Sequence, residues 1–366
     1  MKIRWFVHAV ASCWNNGNAH FLRGLGVALR EMGHDVLFLE PENSWSESNL
    51  LQSHGRHALD SFRATFPGLN IDKYDLQSAD LAELTDNADL VVVHEWNEPA
   101  LVNALGTMRA CGAPFLLLFQ DTHHRAASNP DEMARFNLSG YDGALVFGAS
   151  IAEIYRSRGW AGRVWTLHEA ADSTTFFPRP LAPDSDCVWI GNWGDDERSA
   201  ELREFLIDPI SALGFSARIY GVRYPDAVQE ELAGRGICFG GWLANHEAPI
   251  AFARARFTVH VPRRLYAEIL PGVPTIRVFE ALACGIPLIS SPWDDSERLF
   301  PPGCYLTARN GGEMQKLMRA VVADADLRES LIDRGLAAVR SHHTCRHRAR
   351  ELLAIADELR PVKEAA

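Results

Sequence analysis

The sequence predicts an α/β protein of two doubly wound domains, and three observations carry that expectation. At 366 residues the chain is long for one compact core, so two domains of roughly 150–200 residues each are expected. Short apolar runs rich in β-branched and aromatic residues alternate with stretches whose apolar residues recur at helical spacing. Parallel strands buried on both faces read this way. The rhythm pauses once, in the proline-rich residues 170–184, and then restarts, as it would across a linker between two similar domains.

In the first half the strand-like runs are 3–7, 36–40, 90–94, 115–119, 144–147 and 164–167. The helix after the first run is marked by Phe21, Leu22, Leu25 and Leu29 and stopped by Gly33. In the second half the runs are 188–190, 218–220, 237–239, 257–261, 287–290 and 305–306. Beyond Gly312 the pattern turns helical through Leu317, Met318, Val321, Leu331 and Leu336. A last amphipathic helix, about residues 346–359, carries Leu352, Leu353 and Ile355. Such a helix either finishes its own domain or packs back over the first, and periodicity does not choose. The expected division is a first domain at 1–170, a linker at 171–184, a second domain at 185–340 and a terminal helix at 341–366.

Composition narrows the function classes. A hydrophobic fraction of 47% and a charged fraction of 23% are ordinary globular values. A net charge of −11 without a long basic run disfavours nucleic-acid and membrane-surface partners. An anionic substrate must then be met by a few arginines or by helix N-termini. The seven cysteines are odd in number and show no CxxC spacing, which reads as reduced thiols in a cytoplasmic protein. Val10-Ala11-Ser12-Cys13 loosely resembles a lipoprotein cleavage box, but the apolar stretch ahead of it is short and broken by His8, so it reads as a first strand. No segment approaches the ~18 apolar residues of a membrane span, so no integral membrane segment is expected.

Open α/β sheets bind ligands beyond the carboxyl ends of their strands. The first strand runs into Ser12-Cys13-Trp14-Asn15-Asn16-Gly17-Asn18-Ala19-His20 and then a helix. Exposed N–H groups at such a helix start suit a diphosphate or a sugar near Gly17 and Asn18, with Gly17 on the donor side and Asn16, Asn18 and His20 on the acceptor side. A plain loop capped by Asn18 is the alternative. The loop is not a GxGxxG dinucleotide fingerprint, and although Glu40 ends the second strand, the glycines are missing, so no cofactor is expected. Two further strands end in His94-Glu95-Trp96-Asn97-Glu98 and Gln120-Asp121-Thr122-His123-His124-Arg125. Here His123 or His124 can hydrogen-bond a sugar or act as a base, Asp121 can orient the imidazole, and Glu95 stands on the acceptor side. A solvated loop or a helix cap is the competing explanation for the adjacent histidines.

The second half opens with Ile190-Gly191-Asn192-Trp193-Gly194-Asp195-Asp196-Glu197-Arg198. Gly191 and Gly194 permit close backbone approach, Asn192 stands with them on the donor side, and Arg198 either reaches a phosphate or pairs with Glu197 or Glu201. The most informative stretch, Leu270 to Ser290, starts a short apolar helix at Pro274-Thr275 and ends it at Gly285-Ile286-Pro287. A carboxylate inside such a helix, Glu280, needs a partner. The N–H groups around Thr275 and Ile276 can hold a diphosphate while Glu280 accepts from ribose hydroxyls. Pairing of Glu280 with Arg277, three residues earlier, is the competing explanation.

At these residues the chain resembles the GT-B glycosyltransferases with a family-4-like donor site, in particular the spore-maturation type. The matching pieces are 18–30 followed by Gly33-His34-Asp35-Val36, His168-Glu169-Ala170-Ala171-Asp172 with Phe177-Pro178, 191–198, and Arg277-Val278-Phe279-Glu280-Ala281-Leu282-Ala283-Cys284-Gly285. The resemblance implies two facing Rossmann-like domains. It further implies transfer from a nucleoside-diphosphate sugar, a substrate and not a cofactor, to a hydroxyl of a sugar, lipid-linked or small-molecule acceptor, with Glu280 on the ribose. Retaining transfer is implied too, although Gly272 occupies the first position of the family's Glu-x7-Glu pattern and leaves the stereochemistry open. Metal-independent transfer is expected, because Asp184-Ser185-Asp186 precedes a strand where a metal-binding DxD would end one, and Asp324-Ala325-Asp326 lies in a helical region. His342, His343, Cys345 and His347 lack the polar pocket a catalytic metal requires. Two rivals are a nucleotide-sugar epimerase or hydrolase using Glu95, Asp121 and His123, and an inactive glycan- or nucleotide-binding protein.

Overall fold

The computed structural model describes residues 1–360. The chain forms two compact units, Met1–Glu169 together with the last helix Cys345–Leu359, and Ala170–Thr344. The proline-rich stretch 171–184 therefore counts with the second unit.

The first unit is built on a seven-stranded parallel sheet, in the order β3-β2-β1-β4-β5-β6-β7. Its strands are β1 Lys2–Phe6, β2 Asp35–Pro41, β3 Asn70–Tyr74, β4 Leu90–His94, β5 Leu116–Asp121, β6 Gly143–Val146 and β7 Val164–Thr166. β1 pairs on one side with β2 and on the other with β4, Ile3 facing both Val36 and Leu90, so the winding reverses beside β1. Every residue of β4 is buried, which is why its apolar run is continuous. The expected strands are present with ends shifted by a few residues, and β3 is an addition. Asn-Ile-Asp-Lys-Tyr buries only its tyrosine at the sheet edge, so no apolar run announced it.

The last helix packs on the helix Ala19–Glu31 of the same unit. It buries Cys345, Arg348, Ala349, Leu352, Ile355 and Ala356 along one stripe. Arg348 Nε donates to the His168 carbonyl at 2.9 Å, and Arg346 meets Glu31 at 3.2 Å.

The second unit carries a six-stranded parallel sheet, β10-β9-β8-β11-β12-β13. The strands are β8 Ser185–Ile190, β9 Ala217–Tyr220, β10 Cys238–Phe239, β11 Ala255–His260, β12 Leu288–Ser290 and β13 Leu306–Thr307. Cys187, Trp189, Ile219, Phe257, Val259 and Ile289 form its core with Met314, Met318 and Val321 of the helix Gly311–Ala323. The winding reverses again, here between β8 and β11. Both units are thus doubly wound α/β sheets, as expected. Among the described residues no helix is long and apolar enough to cross a membrane.

Candidate functional site

Of the sequence-predicted donor residues, Gly191, Asn192, Arg198, Thr275, Ile276 and Glu280 gather in the second unit around the reversal between β8 and β11, whereas Gly17 belongs to the first unit. Gly191 leaves β8 under the Trp189 indole, and a Cβ there would stand 2.6 Å from the ring, so no other residue fits without displacing it. Asn192 uses its side-chain oxygen to accept from the Val222 N–H at 3.1 Å. Its carbonyl accepts from Arg198, whose guanidinium also donates to the Val261 carbonyl at 3.2 Å.

Arg198 does not take either carboxylate offered by its neighbours. Glu197 pairs with Arg263 at 2.8 Å and Glu201 with Arg264 at 3.0 Å. Arg198 is left with the two carbonyls and the Trp189 ring, 5.3 Å from its guanidinium carbon, and its Nε is out of solvent without a hydrogen-bond partner. Burial, with repulsion from Arg263 added, pushes its pKa down to about 10. Two carbonyls do not neutralise a largely buried guanidinium, so an anion placed beside it would be favoured.

His260, at the end of β11, was not foreseen. Its Nδ1 lies 2.9 Å from Ser290 Oγ and its Nε2 3.1 Å from Thr275 Oγ1. Burial, together with Arg198 and Arg277, pushes its pKa down to about 3, so the ring is neutral at physiological pH. Holding Thr275 has a structural result. The threonine stands at the N-cap of the helix Ile276–Ala283 but makes no side-chain cap bond, so its hydroxyl does not take up the first-turn N–H groups. A polar residue closing the apolar strand Phe257-Thr258-Val259-His260, just before Pro262-Arg263-Arg264, was the available signal.

Glu280 is wholly buried in that helix. Its Oε2 is bonded by Arg277, the pairing named as the competing explanation, and its Oε1 accepts from Asn245 Nδ2 at 2.8 Å. Asn245 comes from the segment after β10 and was also unforeseen. Gly272 has φ +84°, and a Cβ on it would stand 2.5 Å from Glu297 Cγ. The backbone itself therefore refuses a glutamate at the first position of the Glu-x7-Glu pattern.

The first unit gathers its polar residues at the reversal beside β1. Asn18 does not cap its helix; its amide reaches Thr122 Oγ1 and, at 2.9 Å, His94 Nε2. The same ring nitrogen lies 3.1 Å from Thr122 Oγ1 and 3.0 Å from Glu95 Oε2. Burial raises Glu95, but His94 outweighs it and holds the carboxyl below its usual range. Asp121 is wholly buried, accepting from Tyr155 Oη at 2.8 Å and from the His123 N–H at 2.9 Å. Burial, then Glu95, raises its pKa to about 7. His124 is buried against Ser128 Oγ at 2.7 Å, whereas His123 stands edge-on to the exposed Trp96 with ring centroids 4.9 Å apart. Of the remaining first-loop residues, Asn16 braces the loop through the Ala9 carbonyl at 2.8 Å, Gly17 is exposed and His20 is buried in the first helical turn.

Both DxD sequences have structural employment. Asp184 pairs with Arg218 at 2.6 Å, Asp186 lies inside β8 and not before it, and Asp324 caps the helix Ala325–His342 through the Leu327 N–H at 3.0 Å. Among the described residues no group of three or more His, Cys, Asp or Glu side chains is placed to hold a metal ion.

Comparison with known proteins places the architecture. Both sheets and their order are those of the GT-B glycosyltransferase fold. Residues 198–354 match a family described as glycosyl transferase-like. Sucrose-phosphate synthase from Thermosynechococcus elongatus superposes over 98% of this chain and 99% of its own, with a TM-score of 0.66 at 15% identity. A glycosyltransferase from Rickettsia africae superposes over 100% and 99%, with a TM-score of 0.67 at 13% identity. Anabaena HepE, solved with UDP and glucose, superposes over 98% and 99%, with a TM-score of 0.64 at 13% identity. No curated protein matches the chain by sequence.

Proposed function

We propose that this protein is a glycosyltransferase that moves a sugar from a uridine-diphosphate sugar to a hydroxyl acceptor, without a metal ion and with retention at the anomeric carbon. The carrying observation is Arg198, a desolvated guanidinium held by two carbonyls and no carboxylate beside the strand reversal of the second unit. When the bond between the anomeric carbon and the diphosphate oxygen breaks, negative charge grows on the diphosphate. A fixed cation and uncapped helix N–H groups stabilise that charge most where water is scarce. Glu280, fixed by Arg277 and Asn245, is the acceptor for the ribose hydroxyls. The uridine assignment draws on the neighbours, HepE with UDP and glucose and a DNA-modifying β-glucosyltransferase studied with uridine diphosphoglucose. Retention draws on the likeness of the Arg277–Gly285 stretch to family-4-like donor sites.

The test is a panel of UDP-, GDP-, ADP- and dTDP-sugars incubated with and without saccharide acceptors in EDTA, with products read by mass spectrometry and by the anomeric proton coupling. Transfer from a UDP-sugar with retained configuration is the expected result. Epimerised donor, or binding without turnover, would replace the transferase reading by one of its rivals.

A further inference from the structure

Two large indoles stand in the open at one edge of the first sheet. Trp45, which begins the helix after β2, is 46% exposed, and Trp96, in the turn after β4, is 45% exposed. Because β1 lies between β2 and β4, the chain leaving β1 runs between them. That chain supplies His8 and Trp14, whose rings lie 5.6 and 5.4 Å from Trp45, both edge-on. On the Trp96 side stand His123, edge-on, and Arg125, 4.2 Å over the ring. The loop between the two indoles carries neutral polar side chains, Asn16 and Asn18, each anchored within the unit through its amide nitrogen.

Charge decides which occupant fits this edge. Lys73 is tied to Glu40 and Glu47, and Arg125 to Glu132 at 2.6 Å. Arg23 is buried, donating to the Val10 and Ala11 carbonyls. His8 is held neutral, its pKa pushed down to about 4 by burial and by the neighbouring His94 and Lys73. An anion would find its cations here already neutralised or buried, in contrast to Arg198 in the second unit. A pyranose meets both features: its C–H faces stack on indole and its hydroxyls bond to amides and imidazoles.

We propose that the hydroxyl acceptor is a neutral saccharide that stacks on Trp45 and Trp96. This rests on the transferase reading for the word acceptor, but the platform itself is testable without turnover. The full protein is titrated calorimetrically with maltotetraose, cellotetraose and chitotetraose, and separately with UDP and with phosphatidylglycerol vesicles. The expected result is binding of at least one saccharide that weakens by about tenfold or more in Trp45→Ala and in Trp96→Ala, the scale of a lost aromatic stack. Trp45→Phe restores part of it, UDP affinity holds in all three variants, and thermal unfolding and near-ultraviolet circular dichroism like those of the wild type show that the first unit is folded in each. Saccharide binding indifferent to both substitutions, no saccharide binding at all, or tryptophan-dependent binding to vesicles alone would overturn the proposal. If the wild-type protein transfers the sugar of a UDP-sugar to a non-saccharide hydroxyl yet binds no saccharide, the platform fails and the transferase reading stands. If saccharides bind as expected and no donor is ever consumed, the platform stands and the transferase reading falls.

Discussion

The side-chain amide of Asn245 donates to Glu280 at 2.8 Å, joining two segments 35 residues apart in the chain. Arg277 bonds the other carboxylate oxygen from the preceding helical turn. A carboxylate gripped on both oxygens is fixed in orientation before any ligand arrives, which reduces the ordering cost of recognising a pair of hydroxyls.

Replacing Glu280 by Gln keeps the shape and the contact with Asn245 but leaves Arg277 without its counter-charge. Each charge-assisted hydrogen bond lost costs roughly 1.5–3 kcal/mol, so UDP affinity should fall by about one to two decades. Calorimetric titration checks this, with thermal unfolding confirming that the variant is folded. Unchanged affinity would remove Glu280 from the nucleotide site.

Arg198→Met should separate stability from binding. Removing a desolvated cation relieves a cost that offsets the two carbonyl bonds lost, so the Tm of the free protein should move by only a few degrees, within about ±4 °C. The rise in Tm that UDP produces by linkage should disappear. A large drop in the free protein with the UDP shift intact would make Arg198 a structural brace.

Turnover should survive EDTA, since Arg198 and the uncapped helix start at Thr275 supply the positive potential at the leaving group. Loss of activity in chelator, recovered only with manganese or magnesium, would be the contrary outcome.

His123 and His124 should separate cleanly. His124 is packed inward on Ser128, so His124→Ala should lower the Tm. His123→Ala should lower the turnover number by at least about tenfold, because general acid–base help is typically worth 10²–10⁴-fold, with UDP affinity nearly unchanged. If His124→Ala alone impairs turnover, the roles are exchanged.

Asp121 makes a pH prediction. Its folded pKa, about 7, lies above the ordinary 3.8, so the folded state holds a proton that the unfolded state has released between those values. The stability this group confers is complete below about pH 4 and is lost as pH rises through 7. His8 and His260 are shifted downward and act in the other direction below their ordinary 6.5, so the comparison must be a difference. Denaturant midpoints of wild type minus Asp121→Asn should decline from pH 4 to 7 and then level. A flat difference would show that Asp121 is ionised throughout.

Much of this was legible because burial leaves a mark on composition. β4 reads as Leu-Val-Val-Val because both its faces are covered, and Glu280 stood out as a carboxylate in a mostly apolar helix. β3 was illegible because an edge strand has solvent on one side and its apolar residues thin out. His260 and Asn245 escaped for another reason: each matters only through a partner far along the chain, Ser290 and Thr275 for the first and Glu280 for the second. Arg198 shows the same limit. Nearby Glu197 and Glu201 were equally plausible partners, and tertiary packing gave both to other arginines.

The last helix belongs to the first unit, and this has a consequence for how the chain comes into being on the ribosome. Phe21 and Glu31, on the helix Ala19–Glu31, meet Cys345 and Arg346, which are synthesised more than three hundred residues later. The second unit is one uninterrupted stretch and can close while the first still waits for its final piece. A fragment of residues 170–344 should therefore express as a folded body, whereas a fragment ending at residue 169 should show an uncovered apolar stripe and bind a chaperone or aggregate.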